Sequence, residues 1–148
     1  MLEPLRLWDE SFERGKCRKQ IKKILEKVRL PENVLRKYPG ELSGGQAQRV
    51  AIARGLLLRP EVIICDEAVS ALDASVQKQI LDLLKELQRE FQMSYLFITH
   101  DMGVVNYIAD EVIVMKNGRV IEAGPKDQVL YDPKEEYTKT LIASSFLF

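Results

Sequence analysis

Two short apolar runs flank one long amphipathic segment, and this arrangement constrains the fold more than any other feature of the chain. The first run, Val62-Ile63-Ile64-Cys65, ends in the acids Asp66 and Glu67. The second, in Ser94-Tyr95-Leu96-Phe97-Ile98-Thr99-His100, ends in the chain's one histidine. Runs this short and rich in β-branched or aromatic residues predict strands, here buried on both faces. Between them Val76, Ile80, Leu83, Leu84, Leu87 and Phe91 recur at helical spacing, which predicts a helix over 74–91 with Asp73 or Ser75 as its cap. Strand, helix and strand in succession predict an α/β domain with a parallel sheet.

The flanking segments extend the pattern. Ile21, Ile24, Leu25 and Val28 predict a helix over 12–29, ended by Leu30-Pro31. Val50, Ile52, Ala53, Leu56 and Leu57 predict a helix over 46–59, stopped by Pro60. A short helix is expected near 102–109. Residues 111–123 read as two strands joined at Asn117-Gly118, the strongest hairpin signal in the chain. The tail, about 126–144, reads as two helical pieces broken at Asp132-Pro133.

Composition narrows the class. At 148 residues, 46% apolar and 30% charged, the chain can bury a core. Lys+Arg and Asp+Glu balance at 22 each, so no overall charge points to nucleic acid. Eight basic residues crowd 14–29 beside a single acid, Glu26, and read as a solvated helix face. Two separated cysteines and one histidine give no zinc-ligand spacing. Cys65, in its apolar run, is expected to be a small buried hydrophobe. No apolar stretch reaches the roughly 20 residues of a membrane span, and the first ten residues lack a signal-peptide pattern. A cytoplasmic protein is expected, touching a membrane only through partners.

Three places can carry chemistry. Asp66 and Glu67 stand where a strand ends, the usual position of ligand-binding residues in open α/β sheets. Adjacent carboxylates on an extended strand point apart, so one can hold Mg²⁺ through its waters while the other takes a proton from water. They can equally cap the next turn. His100, also at a strand end, can hydrogen-bond a phosphate oxygen or an attacking water, although a single histidine is usually structural. Gly40-Glu41-Leu42-Ser43-Gly44-Gly45-Gln46-Ala47 has the glycine spacing of a phosphate loop, yet Gln46-Ala47 stands where such a loop has Lys and Ser or Thr. Ser43, Gly44 and Gly45 directly precede a helix, and glycines there let an anion approach the helix N-terminus. The plainer reading is an ordinary serine-capped helix.

Taken together and in order, Leu42-Ser43-Gly44-Gly45-Gln46, Val62 to Glu67, Ser70-Ala71-Leu72-Asp73 and Thr99-His100 are far more specific than any one of them. The chain resembles the ATP-binding-cassette ATPases over almost all of its length. The resemblance makes residues 42–46 the family signature, 62–67 the Walker B strand, 70–73 the D-loop and His100 the switch histidine. It implies that Ser43, Gly44, Gly45 and Gln46 bind the γ-phosphate of ATP held by an opposing subunit. Glu67 and His100 are then catalytic, Asp66 helps hold Mg²⁺ through water, and Asp73 serves the D-loop.

The resemblance also implies a Walker A loop upstream of the helical lobe. Gly15-Lys16 is the one Gly-Lys pair; Cys17 follows it and Glu10 stands where a P-loop has Gly, so it fails as one. The chain thus looks like the C-terminal half of a nucleotide-binding domain: 1–45 in the helical lobe, 46–125 in the ATPase core, 126–148 a helical tail. Glu3-Pro4-Leu5, Ile64 to Asp73 and the tail Leu130 to Ser144 are similar to the peptide and nickel importer branch. In that tail Glu136 replaces the usual Pro before Tyr137, and Ala68 replaces the Pro common after Glu67. The implied partners are a second ATPase subunit, permease subunits and an extracytoplasmic substrate-binding protein, with no nucleic acid. The implied location is peripheral, on the cytoplasmic face of the membrane. Two other readings compete. A DNA-repair-type ATPase lobe would need long heptads before the signature, and only about 18 helical residues stand there. A non-catalytic binding or regulatory module fits the missing lysine loop.

Overall fold

The computed structural model describes residues 14–145, and these fall into two compact units that divide between Leu96 and Phe97. Glu3-Pro4-Leu5 and the first two residues of the expected 12–29 helix lie outside the described residues.

In the first unit, α1 spans Arg14–Lys27. It ends in a Schellman motif rather than at the proline alone. Arg29 takes φ 57°, the Leu30 N–H donates to the Leu25 carbonyl at 2.9 Å and the Arg29 N–H to that of Glu26 at 3.0 Å. Two short 3₁₀ turns, Glu32–Arg36 and Pro39–Glu41, lead to α2, Gly44–Leu56. Strand β1, Val62–Asp66, precedes α3, Ala74–Phe91, and strand β2 is Ser94–Ile98. β1 and β2 pair as a two-stranded parallel sheet, the α/β arrangement expected.

The buried stripe of α3 is Ile80, Leu81, Leu83, Leu84 and Leu87. Ile24 and Leu25 of α1, Val28 just beyond it, Ala53 and Leu56 of α2, and Cys65 are buried in the same unit. Half-buried polar links tie these elements: the Tyr95 hydroxyl donates to the Leu84 carbonyl at 3.1 Å, and Gln20 Nε2 to the Leu57 carbonyl at 3.1 Å. Cys65 is buried as expected, and burial pushes its thiol up to about 11. Basic residues of α1 and its C-terminal end are in part paired on the surface, with Lys22–Glu32 at 2.9 Å and Arg29 Nη2 donating to both carboxylate oxygens of Glu86 at 2.7 and 2.6 Å.

The strands differ from expectation in one respect. Their apolar runs predict burial on two faces, yet Val62 and Ile64 are 56% and 66% exposed, and Leu96 and Ile98 are 49% each. The alternate residues Ile63, Cys65, Tyr95 and Phe97 are the covered ones. The helices of this unit cover one face of the strands, and no element of this unit covers the other.

The second unit is a hairpin with helices. α4 spans Met102–Ile108, β3 Glu111–Lys116 and β4 Arg119–Pro125. Asn117 and Gly118 take φ 49° and 75°, the two left-handed residues that a two-residue hairpin turn requires. α5, Lys126–Tyr131, and α6, Glu136–Ser145, break at Asp132-Pro133 as the sequence indicates. Val104, Val114, Val129, Leu130 and Thr138 are buried in this unit. Among the described residues no helix is long and apolar enough to cross a membrane.

Candidate nucleotide site

The signature turn is built by a helix start. Ser43 Oγ accepts the Gln46 N–H at 3.3 Å, and Gln46 Oε1 accepts the Ser43 N–H at 3.2 Å. This reciprocal capping box starts α2 at Gly44, two residues before the apolar periodicity suggests. The Ala47 N–H donates to the Ser43 carbonyl at 2.8 Å. Of the first four amides of the helix, the capping leaves those of Gly44 and Gly45 facing out along the helix axis. Two adjacent N–H groups at the positive end of a helix suit an anionic oxygen.

A second helix starts beside it. Asp73 Oδ1 accepts the Val76 N–H at 3.0 Å and caps α3, as expected. Ser43, Gly44, Gly45 and Gln46 share with Ala71, Leu72 and Asp73 the walls of a cleft of about 370 Å³. Arg49, Val76 and Gln79 complete the cleft. The sequence reading missed these three. Their signal was spacing alone: Arg49 follows Gly45 by one helical turn, and Val76 and Gln79 follow Asp73 at intervals of three. Arg49 is braced from behind, its Nη1 donating to the Val28 carbonyl at 3.2 Å.

Asp66 and Glu67 are not part of this cleft. Asp66 is the last residue of β1, and Glu67 takes φ 48°. Glu67 thus lies in a left-handed turn and not in extended strand, so the strand alternation expected from the sequence does not apply to it. The turn is closed by Ser70, whose Oγ and N–H donate to the Glu67 carbonyl at 3.0 and 3.3 Å. A left-handed residue other than glycine is strained, and such strain gathers at functional positions. Among the described residues no three His, Cys, Asp or Glu side chains cluster as a metal site. Mg²⁺ needs no such cluster: it keeps most of its waters and takes one or two carboxylates plus phosphate oxygens, so exposed Asp66 fits it.

His100 lies in the second unit, exposed, two residues beyond the end of β2. Asp101, next to it, caps α4: its Oδ1 accepts the N–H groups of Gly103 at 2.8 Å and Val104 at 3.2 Å.

The chain is similar in sequence to named transport ATP-binding proteins. Residues 2–70 match the ABC transporter family. The oligopeptide transport ATP-binding protein OppF of Escherichia coli is 46% identical over 142 residues, 96% of this chain and 42% of that protein. The dipeptide transport ATP-binding protein DppF of Escherichia coli is 48% identical over 143 residues, 97% of this chain and 42% of that protein. Among solved structures, the dimeric post-hydrolysis state of the ATP-binding cassette MJ0796 bound to ADP and Pi superposes with TM-score 0.70 at 32% identity. That match covers 84% of this chain and 53% of the other. In sequence and fold the chain is similar to ABC transporter ATP-binding proteins along nearly its whole length. It spans about two fifths of the length of these curated relatives.

Proposed function

We propose that the chain is the signature-bearing part of an ATP-binding subunit of a peptide importer, coupling ATP hydrolysis to uptake. One observation carries the reading. The amides of Gly44 and Gly45, at the start of one capped helix, face a cleft they share with the loop 70–73 that starts the next. Anion donors at such a helix start suit a phosphate oxygen.

Two half-sites then lie on the one chain. Ser43, Gly44, Gly45 and Gln46, with Asp73 beside them, close over the γ-phosphate of ATP bound to the partner. Glu67 accepts a proton from the water attacking the γ-phosphate on its own side, Asp66 holds Mg²⁺ through water, and His100 hydrogen-bonds a γ-phosphate oxygen. Mg²⁺, when bound, neutralises the charge that develops on the transferred phosphoryl group. Support for the division is that Asp66 and Glu67 lie apart from the signature cleft, at the carboxyl end of a parallel strand. The names of OppF and DppF support oligopeptides or dipeptides as cargo, and the dimeric MJ0796 structure supports a second ATPase subunit.

Permease subunits and a substrate-binding protein would complete the transporter, with this chain peripheral at the cytoplasmic face. The larger cleft of the helical lobe, about 850 Å³ and lined by Arg18, Glu32, Arg36 and Lys37 around Val34 and Leu42, is the proposed permease contact. Residues 1–45, 46–125 and 126–148 remain the proposed functional division.

By itself the chain is proposed to bind ATP weakly and not to turn it over. Titrating the pure chain with a fluorescent ATP analogue and assaying phosphate release tests this. Turnover above background that Glu67→Gln abolishes would overturn it, and with it the idea that the phosphate cradle comes from elsewhere.

A further inference from the structure

The signature glycines sit at the first two positions of α2, where glycine is among the poorest helix formers. Backbone conformation does not require them: among the described residues the one glycine with positive φ is Gly118. What surrounds them does. A Cβ placed on Gly45 would stand 2.8 Å from Val76 Cγ1, closer than real side chains approach. A Cβ on Gly44 would stand 3.2 Å from Leu72 Cδ2, a contact that a small movement can absorb. Gly40, three residues before the turn, has nothing within 4 Å.

We propose that Val76 is a positioning residue for the signature turn, acting through Gly45, with Leu72 seated against Gly44. The turn 43–46 and the loop 70–73 of one chain then form a single packed wedge. Val76 suits this role because its β-branched side chain is stiff about χ1 and its backbone is pinned by Asp73 at the start of α3. It cannot swing aside as the end of a long side chain would. The amides of Gly44 and Gly45 are therefore set in place by the N-terminal turn of α3, and a shift of the loop 70–73 carries them with it.

The link between this wedge and ATP rests on the function proposed above, but the packing does not. The test accordingly uses the 148-residue chain without nucleotide. Urea unfolding and amide hydrogen exchange are measured for wild type, Gly45→Ala, Val76→Ala, Gly45→Ala/Val76→Ala and Gly45→Ala/Val76→Thr. Alanine is the better helix former. With Val76 present, Gly45→Ala should lower the unfolding midpoint; in the Val76→Ala background it should leave the midpoint unchanged or raise it. Exchange of the 44–47 amides, and of 70–73 with them, should quicken in Gly45→Ala and recover in Gly45→Ala/Val76→Ala. Threonine keeps the shape of valine, so Val76→Thr should not rescue. If Gly45→Ala alone does not fold, recovery of a cooperative transition in Gly45→Ala/Val76→Ala answers the same question. The proposal is overturned by Gly45→Ala behaving as wild type, by equal losses in both backgrounds, or by failure of Val76→Ala to rescue.

Discussion

Glu122, within β4, holds the start of α6: its Oε1 accepts the Lys134 N–H at 2.9 Å and its Oε2 the Glu135 N–H at 3.3 Å. A strand residue thus supplies the cap that Asp132-Pro133 and Lys134 do not. The Lys134 amide is the main influence holding the Glu122 carboxyl below its ordinary value of 4.5. A lowered folded value means the ionised form is favoured by folding. The stabilisation is complete above the unfolded value and fades as pH falls below about 4.5 through the folded value. Acidification should therefore loosen α6, and Glu122→Gln should weaken the docking already at pH 7. Amide exchange of residues 136–140 between pH 3 and 7 checks both.

Strain at Glu67 sets function against stability. Its φ of 48° is a conformation that costs a residue with a Cβ about 1 kcal/mol and glycine almost nothing. Glu67→Gly is expected to raise stability by up to about 1 kcal/mol in urea unfolding. In a protein that joins this chain to the upstream part of Escherichia coli OppF, the same change should remove ATP turnover. Loss of a general base costs about 10²–10⁴-fold. Stability falling in Glu67→Gly would show that the carboxylate contributes more than the strain.

Two neighbours on α3 separate surface charge from core. Both carboxylate oxygens of Glu86 accept from Arg29 Nη2, but both side chains are more than half exposed. Glu86→Ala should cost less than about 1 kcal/mol. Leu87, 1% exposed, fills the core between helices, and Leu87→Ala should cost about 2–5 kcal/mol. Urea midpoints of the two variants measure the contrast.

The uncovered face of β1 and β2 should make the isolated chain self-associate. Val62, Ile64 and Leu96 present apolar side chains to solvent on paired strands, a surface that invites pairing with another chain. Ile64→Lys is expected to lower the association seen by sedimentation velocity while leaving the unfolding midpoint within about 0.5 kcal/mol of wild type. A concentration-independent monomer before the substitution would show that the face is covered in another way.

These strands also mark where the sequence stops being legible. Helix α3, its Asp73 cap and the Asn117-Gly118 hairpin are readable because periodicity, capping and turn chemistry are local. The apolar stripe of α2 places its start two residues late, because the capping box fixes the first turn. Whether Val62 and Ile64 are covered depends on which elements arrive from elsewhere, and an apolar run says only that a partner would be favourable. The signature turn and Asp73 are legible one by one. Their meeting in one cleft with Arg49, Val76 and Gln79 depends on the packing of α2 against α3, which no local pattern encodes. By sequence the glycines read as room for an anion, and the structure shows the side chains of α3 and its loop occupying the room beside them.

The turn 43–46 is proposed to act on a nucleotide held by another subunit. In the protein joined to the upstream part of OppF, Glu67→Gln should stop hydrolysis but keep ATP, and ATP held between two subunits should hold them together. Sedimentation with Mg²⁺-ATP should show a dimer for Glu67→Gln. Adding Ser43→Arg, which fills the cleft beside the Gly44 and Gly45 amides, should leave ATP bound to a monomer. A monomer for Glu67→Gln alone, a dimer that survives Ser43→Arg, or loss of ATP from the Ser43→Arg monomer would contradict the account.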